Sequence, residues 1–175
     1  ELLLAFRPGP FMTRRAAARK SIESFARRAF RGPVAASEVD ELLSLYDQQS
    51  QKGAHFEQAM KAPLRAMLIS PSFLFRIETD QEIDTPYRIS DYELASRLSY
   101  FIWASMPDAE LFRAAANGHL HEPAVLRQQV ERMLSDSKSH ALAENFAGQW
   151  LGIRSLKTTA QPDPGQFPTF TTSLR

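Results

Sequence analysis

Apolar residues in this chain recur at steps of three and four, and a chain patterned that way has few folds open to it. In "TRRAAARKSIESFARRAF", Ala18, Ile22, Phe25, Ala26, Ala29 and Phe30 fall on one side of a helix. Val39, Leu42, Leu43 and Tyr46 form a second stripe, and Phe56, Met60, Leu64, Met67 and Leu68 a third. Further stripes run through Leu94, Leu98, Phe101 and Ile102, then Leu126, Val130, Met133 and Leu134, then Leu142, Phe146, Trp150 and Ile153. A strand would need alternation at steps of two. Only Phe73 to Ile77, in "SPSFLFRIE", reads equally as a short strand or a helical turn. The expectation is an all-α fold of about seven helices with short connections.

Capping and breaking residues place the helix ends. "RGPVAAS" interrupts the first helix, and Ser37 reads as the next N-cap, with Asp40 placed to reach back. Pro63 predicts a kink or break in the third helix. Ser90 with Glu93 forms a capping-box pattern, and Ser105 with Asp108 another, with Pro107 in the first turn. Asn117-Gly118 is a helix stop, and Pro123 opens the following helix. "KTTAQPDPGQFPTFTTSLR" reads as loop. The acidic, polar "TDQEIDTPY" is the internal boundary. Two packed helical subdomains follow, 1–79 and 88–175, the second incomplete at its C-terminal end and helical to about residue 156. "SEVDEL" from Ser37 and "SMPDAEL" from Ser105 echo each other, which shared capping chemistry explains as well as duplication.

Composition removes several kinds of site. The 175 residues are 43% hydrophobic, and a chain of this length buries about 70% of its unfolded surface without a covalent staple. There is no cysteine, so structural disulfides, thiolate metal sites, a cysteine nucleophile and a covalently attached c-type haem are excluded within the chain. No apolar run approaches the roughly 20 residues of a membrane span. "ELLLAF" is too short for a signal peptide and lacks its basic start. The chain opens on Glu1 and stops inside a loop-like segment, and is read as a piece of a longer protein.

Residues 1–31 carry eight Lys and Arg against Glu1 and Glu23. Helix 14–31 is thus a candidate contact for nucleic acid or another anionic surface. Against this, the next helix, "EVDELLSLYD", holds four acids and no base, so phosphate would repel it. A solvated face is preferred and no nucleic acid is expected. His119 and His121 in "GHLHEP", with His140 further on, lack a third ligand at defined spacing, so no metal is assigned. His55 stands alone. No GxSxG, GxGxxG or P-loop motif occurs. Asp80, Glu82 and Asp84 read as a solvated acidic linker.

The densest constellation lies in "YELASRLSYFIWASMPDAELFRAAANGHL". Glu93 and Arg97 are four apart and can pair along a helix, or tie that helix to Arg76 or Glu78 of "FRIE". Tyr100, Phe101 and Trp103 bring large apolar area, and Trp103 needs a partner for its indole N–H. Core packing explains all of them, and a structural corner is the preferred reading. The alternative is a binding site whose other wall lies outside the chain.

At these residues a family comes into view. "SIESFARRAFRGPVAASEVDELLSLY", "LRAMLISPSFLFRIE" and the long run from "DYELASRLSYFIW" to "FAGQWLGI" resemble consecutive domains, DUF1595 then DUF1592, of large exported planctomycete-type proteins. The resemblance covers about 13–76 and about 88–155. It implies a periplasmic or extracytoplasmic parent of several domains, often with a CxxCH cytochrome-c-like module. This chain has no CxxCH, so haem c belongs to the parent and no cofactor to this segment. The resemblance carries no catalytic residues. At its motif positions here stand Arg76, Glu78, Glu93, Arg97, Trp103 and Asp108, whose expected jobs are pairing, packing and capping. The functional expectation is a helical scaffold or interaction module in a redox or polymer-processing system, with other domains of its own parent as partners. An enzyme domain completed by other regions is the alternative, and a nucleic-acid module using 14–31 the weaker one.

Overall fold

A computed structural model describes residues 5–78, 85–153, 163 and 165–170. Asp80, Glu82 and Asp84 of the acidic boundary lie outside the described residues. The fold is all-α, with no strand among the described residues. The fold divides into two compact units, Glu1–Ser96 and Arg97–Arg175.

The first unit is built on α1 (Arg14–Ala29), α2 (Ala36–Gln51) and α3 (Phe56–Ile69). Its core is Ala17, Ala18 and Ile22 of α1, Val39, Leu43 and Tyr46 of α2, and Phe56, Ala59 and Met60 of α3. Fully burying an Ile, Leu or Met contributes about 1.5–3 kcal/mol, so this apolar seam is what holds the three helices together. Tyr46 and Phe56 meet edge to face, 6.0 Å between centroids. Arg15 pairs with Asp47, and Arg19 with Asp40. The numbers rise along α1 as they fall along α2, so the two helices run antiparallel. These pairs are largely exposed and contribute at most about 0.5 kcal/mol each. They do, however, commit two arginines of the basic helix to the acids of its neighbour.

Two helix ends in this unit differ from the sequence expectation. The cap of α2 is Ala35, not Ser37: the Glu38 carboxylate accepts the Ala35 N–H at 3.0 Å. With no side-chain oxygen at Ala35, only the reach-back half of a capping box forms, and Asp40 is left for Arg19. Pro63 does not break α3, which runs through it to Ile69 with the ring buried. The ambiguous Phe73–Ile77 stretch resolves into the end of a one-turn helix, α4 (Pro71–Leu74), followed by extended chain.

Helix α5 (Asp91–Trp103) starts in the first unit and ends in the second. Its capping box forms as read: Glu93 N–H donates to Ser90 Oγ at 3.2 Å, and Ser90 N–H to Glu93 Oε2 at 2.7 Å. The second unit continues with α6 (Ala109–Ala116), α7 (Pro123–Ser135) and a helical run over 137–150, called α8. Within α8 a 3₁₀ turn (Ser137–Ser139) leads into a π turn (Ala143–Ala147). Ile102, Trp103, Leu111, Leu120 and Met133 form its buried interior. Asn117-Gly118 stops α6 as expected, with Gly118 at φ +72° and His119 N–H closing on Ala114 C=O. The Ser105 cap is corrected. Asp108 itself caps α6, accepting Leu111 N–H at 2.9 Å, while Ser105 sits ahead of the helix. In the last apolar stripe, Phe146, Trp150 and Ile153 are exposed.

Candidate functional site

Around Trp103, in the second unit, the chain turns a corner in three steps. Helix α5 ends on Trp103, and Ala104 turns the chain through a left-handed conformation, φ +51°. Buried Pro107 then leads into Asp108, the cap of α6. Finally the last turn of α7 brings Arg132 and Met133 against both.

The indole N–H of Trp103 donates to Met133 C=O at 2.9 Å, a helix-end carbonyl whose backbone donor, the Asp136 N–H, lies at 3.4 Å. Arg132 closes a fork on Asp108, with Nη1 2.6 Å from Oδ2 and Nη2 3.1 Å from Oδ1. It also donates through Nε and Nη2 to Gln129 Oε1 at 3.1 and 2.9 Å, and its Nε lies 3.2 Å from Glu110 Oε1. Gln129, itself buried, donates to Glu110 at 3.1 Å. Two cations cover the Trp103 ring, Lys138 Nζ at 4.4 Å and the Arg132 guanidinium at 5.5 Å from its centroid.

Burial pushes the Asp108 carboxyl up, but the Arg132 hydrogen bonds, the Leu111 amide and the nearby Arg132 and Lys138 charges outweigh it. The net direction is down. Arg132 moves up, chiefly through its hydrogen bonds to Asp108. Both groups are therefore driven away from neutrality, the reverse of what a general acid or base needs. The corner holds its charges in place.

Of the six residues singled out in the sequence, the structure joins Trp103 and Asp108 in one cluster. Glu93 caps α5, and Arg97 lies exposed one turn further along. Arg76 and Glu78 are exposed on the extended segment after α4, in the first unit. Arg132, Glu110, Gln129 and Lys138 went unread. The Gln129–Arg132 spacing of three marks a shared helix face, but the 24-residue reach from Asp108 to Arg132 has no local signature.

Arg31, read in the sequence only as the end of the basic stretch, has a different place in the fold. It follows α1 at φ +59°, where glycine is usual, in a Schellman-type end with Gly32 N–H on Arg27 C=O at 3.1 Å. Its buried guanidinium donates to the carbonyls of Ser72 (2.6 Å), Phe73 (3.2 Å) and Phe75 (2.6 Å). The left-handed turn aims the side chain at the end of α4, whose carbonyls need donors.

The histidines form no centre. His119 Nδ1 lies 2.6 Å from Glu122 Oε1 in an exposed pair, and His55 and His140 are exposed. Among the described residues no group of three His, Asp or Glu is placed to hold a metal, and no helix is long and apolar enough to cross a membrane.

The other notable surface is aromatic. Phe101 meets Phe146 edge to face at 5.5 Å, and Phe146 lies at 6.0 Å from Trp150 with ring planes 18° apart. All three are exposed, 55%, 50% and 74%, and Leu151 and Ile153 beside them are exposed too. Scattered exposed apolar residues are ordinary, whereas these three exposed rings touch one another.

Two family models match the chain. Residues 17–78 match the protein of unknown function DUF1595, and residues 89–175 the protein of unknown function DUF1592. No curated protein and no solved structure matches it.

Proposed function

We propose that this chain, which belongs to the DUF1595 family over its first part and the DUF1592 family over its second, is a non-catalytic helical module that packs against other domains of its own parent protein. The observation that carries this reading is the contrast inside the second unit. Its polar corner is internally bonded, while the rings of Phe101, Phe146 and Trp150 face outward. Covering such rings is worth more than covering polar surface of equal area, and aromatic anchors dominate interface energetics.

The reading extends to the parent. We take it to be exported and to carry a c-type haem on a separate module, as the family resemblance implies. Without cysteine, this chain offers nothing for the thioether bonds of such a haem. Its part is to present or brace the electron-carrying module. A reduced-minus-oxidised visible spectrum tests this: the parent shows the haem bands and this chain alone shows none. A parent without haem bands would remove the redox reading. Substituting Glu93, Arg97 and Asp108 in the parent tests the non-catalytic part. Loss of an activity of the parent in variants that still fold would favour an enzyme wall; loss of folding supports the corner.

A further inference from the structure

The DUF1595 match begins at residue 17, yet the fold is entered by the chain ahead of it. Phe6 and Met12 pack against a core whose buried members all come from α1, α2 and α3. Between them, Gly9 and Met12 exchange two backbone hydrogen bonds, 3.0 and 3.1 Å, around Pro10 and Phe11, so the segment folds back on itself. Its backbone joins the helices through Phe6. The Phe6 N–H donates to Ser21 Oγ at 3.2 Å, and the same hydroxyl donates to Phe6 C=O at 3.0 Å. Lys20 Nζ stands 5.7 Å from the Phe6 ring centroid, and Arg7 pairs with Glu57 of α3 at 3.5 Å.

We propose that residues 5–12 are a separable docking peptide, and that the surface of α1 and α3 they cover is a peptide-binding groove. The groove takes a segment in which an aromatic residue, then a base, precede a Pro-Gly-Pro turn and an apolar end. Three kinds of contact recognise it. The Ser21 hydroxyl reads backbone, the core wall takes the ring, and Glu57 takes the guanidinium. Lifting the segment breaks no hydrogen bond of the three helices. It uncovers Ser21, which water then solvates, so no buried polar group is orphaned. The helices keep their own core. A short tether supplies the peptide at an effective concentration on the order of millimolar, so the cis segment outcompetes weak ligands in trans. This inference is independent of the aromatic surface of the second unit.

The test uses the whole chain and a fluorescein-labelled peptide of sequence AFRPGPFMT, residues 5–13. In anisotropy titrations, Phe6→Ala, whose own segment is weakened, binds the peptide at least ten-fold more tightly than the native chain. The same peptide with alanine in place of its phenylalanine at position 6 does not bind. A Phe6→Ala chain that melts like the native one yet binds no peptide, or binds no better than native, overturns the proposal; so does one that fails to fold. Hydrogen exchange on the native chain gives a second, variant-free reading. The Phe6 and Met12 amides exchange at least a hundred-fold faster than those of Ile22 and Met60, and equal protection overturns separability.

Discussion

Replacing Asp108 by Asn and by Ala separates its two jobs. As a cap it accepts one backbone hydrogen bond, from Leu111 at 2.9 Å; as an ion-pair partner it accepts the fork from Arg132. Asn caps a helix as well as Asp does, so Asp108→Asn removes only the second. Hydrogen bonds to charged groups contribute about 1.5–3 kcal/mol. Both side chains here keep 28% of their exposure, and solvent screening brings the loss to or just below the bottom of that range, about 1–1.5 kcal/mol. Asp108→Ala also loses the cap, about 1 kcal/mol more, for a total near 2–2.5 kcal/mol. In a unit of this size each kcal/mol moves the melting temperature by roughly 4–8 °C. Tryptophan fluorescence reports the melt, because Trp103 is buried in the unit that carries the substitution. The expected order is native, then Asn lower by roughly 5–10 °C, then Ala lower by about twice that. An Asn variant as stable as native, or one equal to Ala, refutes the division of labour.

The same pair sets a pH dependence. Asp108 has a folded pKa below its ordinary value of 3.8, so on acidification the unfolded chain takes up its proton first. Its contribution is complete above about pH 4 and is lost as the pH falls through the folded value. The gap in melting temperature between native and Asp108→Asn should therefore narrow from pH 5 to pH 2; a constant gap contradicts this. Arg31→Gly relieves a left-handed conformation worth about 1–2 kcal/mol but leaves the carbonyls of Ser72, Phe73 and Phe75 without the guanidinium. The second effect is larger, and a stability lower by about 1 kcal/mol, read as a lower urea midpoint, is expected; a higher midpoint contradicts it. Ala104, at φ +51°, is exposed and its methyl makes no hydrogen bond, so Ala104→Gly should raise stability by about 0.5 kcal/mol, and a lowered midpoint would count against the strain argument.

Local signals carried most of the fold. Apolar steps of three and four placed the helices, and the Ser90–Glu93 box and the Asn117-Gly118 stop were legible because each is complete within a few residues. Where two caps competed, the reading slipped: Ser37 and Ser105 fit the pattern, but Glu38 and Asp108 reach backbone N–H groups that set the helix starts elsewhere. Of the two outcomes read from Pro63, the break does not occur, because a buried, packed helix tolerates one missing donor. The site was harder to read. Trp103 announced its need for an acceptor, but that acceptor is 30 residues away on another helix. Arg31 occupied a glycine position for a reason that lies in Ser72 to Phe75. The stripe of Phe146 and Trp150 identified an apolar helix face correctly, and periodicity cannot say whether such a face is covered by its own chain or by another.

Hydroxyl-radical footprinting at Trp150, on the parent protein and on this chain alone, asks whether the aromatic surface is a contact between domains. Trp150 is 74% exposed here and Trp103 3%. The module reading predicts that Trp150 is modified at least ten-fold more slowly in the parent, while Trp103 is protected in both. Equal rates at Trp150 in the two proteins would contradict it.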